Sequence, residues 1–308
     1  MNTLVLFNEW RAEYLQRRYL QHDSSEQLDQ RQADLIHNIL TIDAAGRPIV
    51  NGDEQFRRLL AHVHAEMSLR SIPIPVDYKQ KSYVQYKRAA ELWANLALQD
   101  EPYLLKFGNV NWMIPMLRFG SILITNATRY DDPSLNPAIK DCEVEFTDEL
   151  YDAVIEIPPN SVRASNGKST RIKTIGNVKR VAECTTDYYV ACFGMRYDYR
   201  LFDDFSRDGK QPYNACLVIR EPDRFVARMK ECGERELPQW DFAVSPVTYR
   251  DPHHPSPGFL DVFFTKHFCY AYQQECRMLW IPPSPHERLE PVEFKLGSLE
   301  DYCQLLVL

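Results

Sequence analysis

Near its C-terminal end the chain carries three polar residues at alternate positions, Gln273, Glu275 and Arg277. In an extended strand alternate side chains share a face, so these three would lie on one face and the apolar residues between them on the other. The apolar face predicts a core. The polar face predicts either a cleft or solvent exposure, and the pattern alone favours solvent. In a cleft, the amide of Gln273 could donate and accept hydrogen bonds, and the carboxylate of Glu275 could stabilise positive charge in a transition state.

The spacing Gln-x-Glu stands at the end of a series of four sequence blocks. They are Tyr103-Leu-Leu-Lys-Phe107; residues 121–133, which include Thr125-Asn-Ala-Thr-Arg-Tyr130; Ala191-Cys-Phe-Gly194 followed by Leu201-Phe-Asp-Asp-Phe205; and Phe264-Thr-Lys266 leading to Tyr270-Ala-Tyr-Gln-Gln-Glu-Cys-Arg277. Their order resembles that of a widespread bacterial family of unassigned function, often linked to phage defence, whose fold resembles that of ADP-ribosyltransferases. The family usually has an acidic residue at position 273, a tryptophan at 276 and a histidine at 204, where this chain has Gln, Cys and Asp.

This resemblance implies cleavage of the bond between nicotinamide and ribose in NAD, through a ribose with oxocarbenium character. Glu275 would hydrogen-bond the ribose 2′-hydroxyl and stabilise that cation, as contacts to the 2-hydroxyl do in glycoside hydrolysis. Gln273 would face the acceptor. In the families that this motif resembles, Gln-x-Glu goes with asparagine or nucleobase acceptors and Glu-x-Glu with arginine, so arginine is disfavoured as the target.

The resemblance also implies a set of residues that contact NAD. Lys106 falls in the first strand of the region, where such transferases place an Arg or His that holds the ribose or the phosphates; a lysine can serve a phosphate as a point charge. Arg129 is an alternative anchor for the pyrophosphate. Tyr130 could stack on nicotinamide or simply pack in the core. The expected set is completed by Thr125, Asn126 and Arg277.

A basic segment lies between Ile157 and Glu183, where no acidic residue occurs. Its cations are Arg163, Lys168, Arg171, Lys173, Lys179 and Arg180. Residues 161–177 are rich in Ser, Thr, Asn and Gly, which is typical of a mobile loop. The segment could be a solvated loop, or it could hold a polyanion, either the pyrophosphate of NAD or a nucleic-acid backbone.

Composition limits the class of protein. The 308 residues carry a net charge of −7, which argues against non-specific nucleic-acid binding by the whole surface. We expect a cytoplasmic protein, because the sequence has neither a membrane-spanning run nor the features of a signal peptide. The eight cysteines form no Cys-x-x-Cys pair, so we expect reduced cysteines and no metal site.

Hydrophobic periodicity changes near residue 100. Before it, apolar residues recur at helical spacing in residues 10–20, 25–42, 53–69 and 82–98. After it, the pattern predicts short strands at residues 103–107, 121–125, 154–157, 188–193, 215–219, 243–249, 276–281, 292–296 and 304–308. Two helices, at residues 111–119 and 224–231, interrupt them. We therefore expect a helical region at 1–100, serving regulation or partner binding, and a catalytic domain at 101–308.

Together these features predict an α+β protein with two packed, mostly antiparallel sheets, similar to ADP-ribosyltransferases, and an N-terminal helical region. The function implied is NAD-dependent ADP-ribosyl transfer by a bacterial toxin or anti-phage effector, with NAD as co-substrate and RNA or DNA as the acceptor. Modification of a protein and hydrolysis of NAD are the alternatives with the same chemistry. A non-catalytic interaction module of the same fold is the alternative from another class. An antitoxin protein is a possible partner, and no membrane is expected.

Overall fold

The computed structural model describes residues 3–50, 53–74, 85–96, 102–152, 154–157, 170–173, 175–206, 212–254, 260–286 and 288–308. The helices in this part of the chain are α1 (Thr3–Arg17), α2 (Ser25–Ile39), α3 (Glu54–Leu69), α4 (Tyr86–Ala94), α5 (Val110–Phe119), α6 (Leu201–Phe205) and α7 (Pro222–Glu236). The strands are β1 (Leu40–Ile42), β2 (Pro48–Val50), β3 (Leu104–Gly108), β4 (Ser121–Asn126), β5 (Glu145–Tyr151), β6 (Val154–Ile157), β7 (Thr170–Lys173), β8 (Asn177–Glu183), β9 (Tyr189–Gly194), β10 (Ala215–Ile219), β11 (Asp241–Pro246), β12 (Thr248–Arg250), β13 (Thr265–His267), β14 (Glu275–Ile281), β15 (Val292–Lys295) and β16 (Cys303–Val307). None of these helices is long and apolar enough to cross a membrane.

An eight-stranded antiparallel sheet forms the centre of the molecule, in the order β11-β14-β9-β3-β10-β16, with β4 also paired to β9 and β15 paired to β4. Strand β9 therefore has two partners along one edge. Its first half pairs with β4 at Val190, and its last residue, Gly194, pairs with Leu105 of β3. The predicted α+β class and antiparallel pairing are confirmed. The strands expected in two sheets are joined here as two arms of one branched sheet.

The apolar side of β14 lies in the largest core. Cys276, Met278 and Trp280 are buried there against residues of α5 and α7, as the alternation of the sequence predicted. Helix α7 approaches β14 very closely at Gly233, where an added Cβ would lie 2.0 Å from the indole nitrogen of Trp280. Any larger residue at position 233 would push the helix off the sheet, so the glycine allows this packing.

The N-terminal helices pack on the same body as the sheet. Phe268, which precedes β14, is buried in a core formed with α1, α2 and α3. Residues of α4 share a second core with β3, β10 and β16. Asp53 caps α3, accepting a hydrogen bond from the N–H of Gln55 at 2.9 Å. The predicted helix at 25–42 ends at Ile39, because Leu40 begins a β-hairpin with β2 that apolar spacing alone did not reveal.

Two short antiparallel pairs of strands, called here the ribbon, lie outside the eight-stranded sheet. β5 pairs with β8 and β6 pairs with β7, both antiparallel. The expectation of a loop at 161–177 was wrong for Thr170–Lys173 and for Asn177, which lie in strands; residues 161–169 lie outside the described part of the chain. β5 was missed because its inward-facing residues include Asp148, which is fully buried opposite Arg180 and interrupts the apolar alternation.

Candidate functional site

The candidate site is a cavity of about 120 Å³ beside the junction of β3 and β9. Its walls come from β3, β9, α6 and the loop that follows β4, together with the segment that leads into β14. The residues that line it are Leu105, Lys106, Phe107, Tyr130, Ala138, Ile139, Glu143, Cys192, Phe193, Gly194, Leu201, Phe205, Tyr213, Lys266, Gln273 and Glu275. Four residues singled out from the sequence, Lys106, Tyr130, Gln273 and Glu275, are thus brought to one cavity.

Glu275 is the first residue of β14 and is 6% exposed, so the polar face of this strand borders a cleft and not solvent. Its Oε2 lies 3.1 Å from Nζ of Lys266, and its Oε1 accepts a hydrogen bond from Nε of Arg277 at 2.6 Å. Burial alone would raise the pKa of Glu275, but the charges of Lys266 and Arg277 outweigh it and hold that pKa well below its usual range. The carboxylate is therefore ionised at neutral pH.

The backbone around Glu275 is fixed on both sides. Its N–H donates to the hydroxyl of Tyr249 at 2.7 Å, and its carbonyl oxygen accepts from the N–H of Val247 at 2.8 Å. Gln274, immediately before it, has a left-handed backbone with φ of 45°, which is uncommon for a residue other than glycine. This bend joins the 3₁₀ helix Phe268–Gln273, called here the 268–273 turn, to the strand. Gln273 therefore belongs to the turn and not to β14.

The side-chain amide of Gln273 is buried and already hydrogen-bonded. Its Nε2 donates to the carbonyl oxygen of Ala138 at 2.7 Å and lies 3.4 Å from the hydroxyl of Tyr272, and its Oε1 accepts from Lys266 Nζ at 3.2 Å. An amide nitrogen has two hydrogens to donate, and both have partners here. The expected contact with an acceptor stays a prediction, and it requires the amide to give up one of these bonds.

Arg277 lies behind Glu275 and is fully buried. Besides Glu275, its guanidinium reaches Oε2 of Glu143 at 2.5 Å and the carbonyl oxygen of Phe263 at 2.9 Å. Because Arg277 does not line the cavity, its placement suits a residue that holds Glu275 in position. Contact between Arg277 and NAD stays a prediction.

Lys106 extends into the gap where β3 and β9 separate. Its Nζ donates to the carbonyl oxygen of Cys192 at 2.8 Å and lies 5.1 Å from the centre of the Phe193 ring. Burial lowers the pKa of Lys106, since few opposite charges compensate for the loss of water. A lysine in this state can donate hydrogen bonds to a bound ligand and can lose its charge more readily than an exposed lysine.

The four residues of the second sequence block that were expected to contact NAD have different surroundings. Tyr130 lines the cavity, and its hydroxyl accepts a hydrogen bond from Thr125 at 3.2 Å. Asn126 instead donates to Thr128 and to Asp187, at 2.7 and 2.8 Å, which fixes the loop after β4. Arg129 is exposed and does not line the cavity. Of these four residues, Tyr130 lines the cavity, and Thr125 contacts it from behind.

Three charged residues were missed as site residues. Lys266 is 4% exposed and contacts both Gln273 and Glu275; its signal was its place in the fourth sequence block. Asp141 and Glu143 belong to a loop whose sequence, Asp-Cys-Glu, looks like an ordinary acidic connection. Burial raises the pKa of Glu143 to about 7, although Arg277 and Lys266 oppose that shift. No sequence pattern predicts that the carboxylates of Asp141 and Glu143 contact Arg277.

Several cations of the basic segment lie opposite acidic residues of the strands that pair with it, β5 and β6. Arg180 pairs with Asp148, and Lys179 Nζ lies 3.3 Å from Oε1 of Glu149. Arg171 stands opposite Glu156 in the register of β6 and β7. Arg171 and Lys173 are exposed, whereas Arg163 and Lys168 lie outside the described residues. The expected concentration of positive charge is therefore weaker than the sequence of this segment alone indicated.

Three side chains of metal-ligand type meet away from the cavity. Nε2 of His253 lies 3.4 Å from Asp23 and 4.0 Å from Glu149. Nζ of Lys179 also lies 3.3 Å from Oε1 of Glu149, so this carboxylate already has a cationic neighbour within the protein. The geometry of the three side chains by itself does not indicate a metal.

Comparison of the chain with protein-family models, with curated proteins and with solved structures gave no match.

Proposed function

We propose that this protein is an ADP-ribosyltransferase that uses NAD, built on a fold similar to that of known ADP-ribosyltransferases, and that it acts in the bacterial cytoplasm as a toxin or anti-phage effector. In this proposal Glu275 accepts a hydrogen bond from the 2′-hydroxyl of the nicotinamide ribose. The carboxylate then stabilises the positive charge that develops on the ribose as nicotinamide leaves. An antitoxin protein would hold such an activity in check.

The observation that carries the proposal is the state of Glu275. It borders a cavity, it is ionised, and it is held by Lys266 on one oxygen and by Arg277 on the other. The carboxylate lines the cavity, so a ligand hydroxyl that enters can reach it. Electrostatic stabilisation of a transition state needs such a fixed charge in a site with little water, because the charge does not have to reorganise during the reaction.

The cavity can receive only the reacting end of NAD. Ligand pockets that enclose a whole drug-sized molecule have volumes of roughly 300–1,000 Å³, whereas this cavity measures about 120 Å³. We therefore propose that nicotinamide and its ribose enter, with Tyr130 and Lys106 on the wall, while the adenosine part lies outside. Lys106 would hydrogen-bond the ribose or the amide of nicotinamide.

A nucleic acid is the proposed acceptor. The position of the ribbon cations suits contact with a nucleic-acid backbone better than contact with the pyrophosphate of NAD. Each strand residue advances by roughly 3.3 Å, so β5 spans roughly 20 Å, and in this proposal the β6–β7 pair continues beyond it, which places Arg171 and Lys173 about that far from the cavity. At that distance these cations are too remote for the pyrophosphate of a dinucleotide held at Glu275. They could contact a polyanion long enough to reach both places.

Hydrolysis of NAD is the second candidate, because the amide of Gln273 is already used within the protein. Its nitrogen bonds to Ala138 and Tyr272, and its oxygen bonds to Lys266. An amide in this state does not select a macromolecular acceptor, whereas water needs no such selection.

The test is to incubate the protein with labelled NAD and with total cell RNA, DNA or protein in separate reactions. Glu275→Gln should lower the release of nicotinamide by about 10²- to 10³-fold, since a contact to developing charge is lost. Glu145→Gln is the matched control, because Glu145 is exposed on β5. Label on RNA or DNA supports transfer, and free ADP-ribose alone supports hydrolysis. Unchanged nicotinamide release in a folded Glu275→Gln protein would remove the basis of the proposal.

A further inference from the structure

A second carboxylate, Glu143, borders the same cavity from the opposite side of Arg277. Glu143 is 3% exposed and lies just before β5. One guanidinium bridges the two acids, with Nε of Arg277 on Glu275 at 2.6 Å and Nη2 on Glu143 at 2.5 Å. The proposed reaction assigns a task to Glu275 and leaves Glu143 without one.

The cluster around Glu143 contains more acids than cations, which disfavours the ionisation of all three acids at once. Asp141, Glu143 and Glu275 face two cations, Lys266 and Arg277, within the same cluster. Lys106 also lines the cavity, and burial lowers its pKa and so favours its neutral form. A buried cluster with more carboxylates than cations retains a proton readily, and the pKa of Asp141 is raised by burial as well.

Besides Asp141, the titratable groups that pack around Glu143 each keep one charge state near neutral pH. Tyr188 and Cys192 from β9 and its start, and Tyr130 from the loop after β4, have their pKa values raised by burial, so they stay neutral. Lys266 from β13 and Arg277 from β14 have raised pKa values and stay charged. Glu275 stays ionised because both of its oxygens are ion-paired. Glu143, with a pKa of about 7, is therefore able to gain and lose a proton near neutrality.

We infer that the acceptor enters this site as a neutral O–H or N–H nucleophile and that its proton passes to the carboxylate of Glu143. The inference rests on the proposed function. In the step, the bond between C1′ of the ribose and the nicotinamide nitrogen breaks and nicotinamide keeps the electron pair. A lone pair of the acceptor forms the new bond to C1′, and the acceptor proton moves to Glu143. Water, a ribose hydroxyl and a nucleobase N–H all belong to this class.

The wall of the cavity also disfavours the other class of acceptor. A phosphate, thiolate or carboxylate would bring a negative charge next to Glu143 and Glu275, in surroundings where water does not screen the repulsion. An anion also needs no base, so the second carboxylate would have no use for it.

Chemical rescue separates a base from a residue that only holds the fold. With NAD and water as reactants, Glu143→Gln should release nicotinamide roughly 100- to 10,000-fold more slowly than the unchanged protein. Sodium azide attacks C1′ without giving up a proton, so it should restore nicotinamide release in Glu143→Gln and form the azide of ADP-ribose. The unchanged protein should gain little from azide, and Glu275→Gln should not be rescued. Glu145→Gln, an exposed acid two positions along the chain, is the matched control.

The outcomes are distinguishable. If the unchanged protein releases no nicotinamide from NAD at any pH, the proposed function fails and this inference falls with it. Suppose that the unchanged protein does release nicotinamide. If Glu143→Gln then releases it as fast, Glu143 is not the base. If Glu143→Gln is folded and slow but azide does not restore its rate, Glu143 is not the base either. Should Glu143→Gln fail to fold, the pH profile of the unchanged protein decides: the rate must rise through an apparent pKa near 7, and a flat profile overturns the inference.

Discussion

The side chain of Asn38 in α2 accepts a hydrogen bond from the backbone N–H of Tyr272 at 2.7 Å, one residue before Gln273. The same side chain donates to the carbonyl oxygen of Phe268 at 3.1 Å, at the other end of the 268–273 turn. Asn38 is 3% exposed, so water does not replace these bonds. A residue of the N-terminal helices therefore fixes the backbone that delivers Gln273 and Glu275 to the cavity.

Asn38→Ala should lower the free energy of unfolding by about 1–3 kcal/mol, because buried backbone groups of the turn lose their partner. Nicotinamide release should fall as well, since the turn that precedes Glu275 is no longer fixed. Urea unfolding and NAD turnover on one preparation measure both effects. A comparison with Asn38→Asp, which keeps the acceptor for the Tyr272 N–H but not the donor, separates the two bonds. Full activity in Asn38→Ala would show that the turn holds its shape without α2.

The division into a helical region at 1–100 and a catalytic domain at 101–308 can be tested with a fragment that lacks the helices. Arg31 of α2 forms a buried ion pair with Asp251, at 2.5 Å between Nη2 and Oδ2, across that boundary. A fragment of residues 101–308 would leave Asp251 without this partner and would expose the core around Phe268. We expect the fragment to be less stable than the whole chain, as measured by thermal unfolding. A folded fragment with unchanged NAD turnover would favour a separable regulatory region.

The sequence revealed more of the sheet than of the site. Strand β10 was predicted with its observed bounds, because five consecutive apolar residues indicate a strand buried on both faces. The meeting of Lys106, Tyr130, Gln273 and Glu275 followed from the order of sequence blocks. The cluster of Asp141, Glu143, Lys266 and Arg277 did not, since Asp141 and Glu143 lie in the loop before β5 and are more than 100 residues away from Lys266 in β13 and Arg277 in β14. The acids opposite the basic segment were missed because the sequence did not reveal that β5 pairs with β8.

Gly194 offers a test of the cavity that leaves its charges unchanged. It stands opposite Glu275 in the register of β9 and β14, and an added Cβ would lie 3.7 Å from its nearest neighbours. Gly194→Ala should therefore fold and stay active. Gly194→Leu should place a branched side chain in the cavity and reduce NAD turnover by at least tenfold, with little change in melting temperature relative to Gly194→Ala. Equal turnover in the two variants would mean that the reaction takes place elsewhere.

Gln273→Ala should slow transfer and hydrolysis by similar factors. The amide of Gln273 helps to hold Lys266, and Lys266 holds Glu275, so its loss should disturb the carboxylate that both reactions need. Label on the acceptor and free ADP-ribose are counted in the same reaction. A loss of transfer alone would instead show that the amide turns toward the acceptor, as the resemblance implies.

Acid should destabilise the packing of the N-terminal helices through His62. Burial, together with nearby positive charges, lowers the pKa of His62 to about 3, and its Nδ1 lies 3.0 Å from the hydroxyl of Tyr19. In the unfolded chain a histidine takes up a proton near pH 6.5. The unfolded state therefore binds more protons as the pH falls from about 6.5 toward 3, and the free energy of unfolding decreases over that window.

His62→Gln keeps a partner for Tyr19 and removes the titration. Its free energy of unfolding should be lower than that of the unchanged protein at pH 7, and it should depend less on pH between about 6.5 and 4. Part of the dependence should remain, because burial also lowers the pKa of His267 to about 4. Urea unfolding at a series of pH values measures the slope, and an unchanged slope would show that His62 titrates alike in the folded and unfolded states.

The ribbon provides a test of nucleic-acid binding with an internal control. Lys173→Ala removes an exposed cation of β7. Each phosphate contact contributes nearly one unit to the log-log dependence of affinity on salt, so the slope should fall by up to about one unit. Affinity should fall alike for all sequences, while nicotinamide release stays unchanged. Lys179→Ala is the control, because Glu149 already neutralises Lys179 at 3.3 Å and its removal should change the slope less. If both variants bind RNA and DNA as the unchanged protein does, the ribbon does not contact phosphates, and a protein acceptor or water becomes the better candidate.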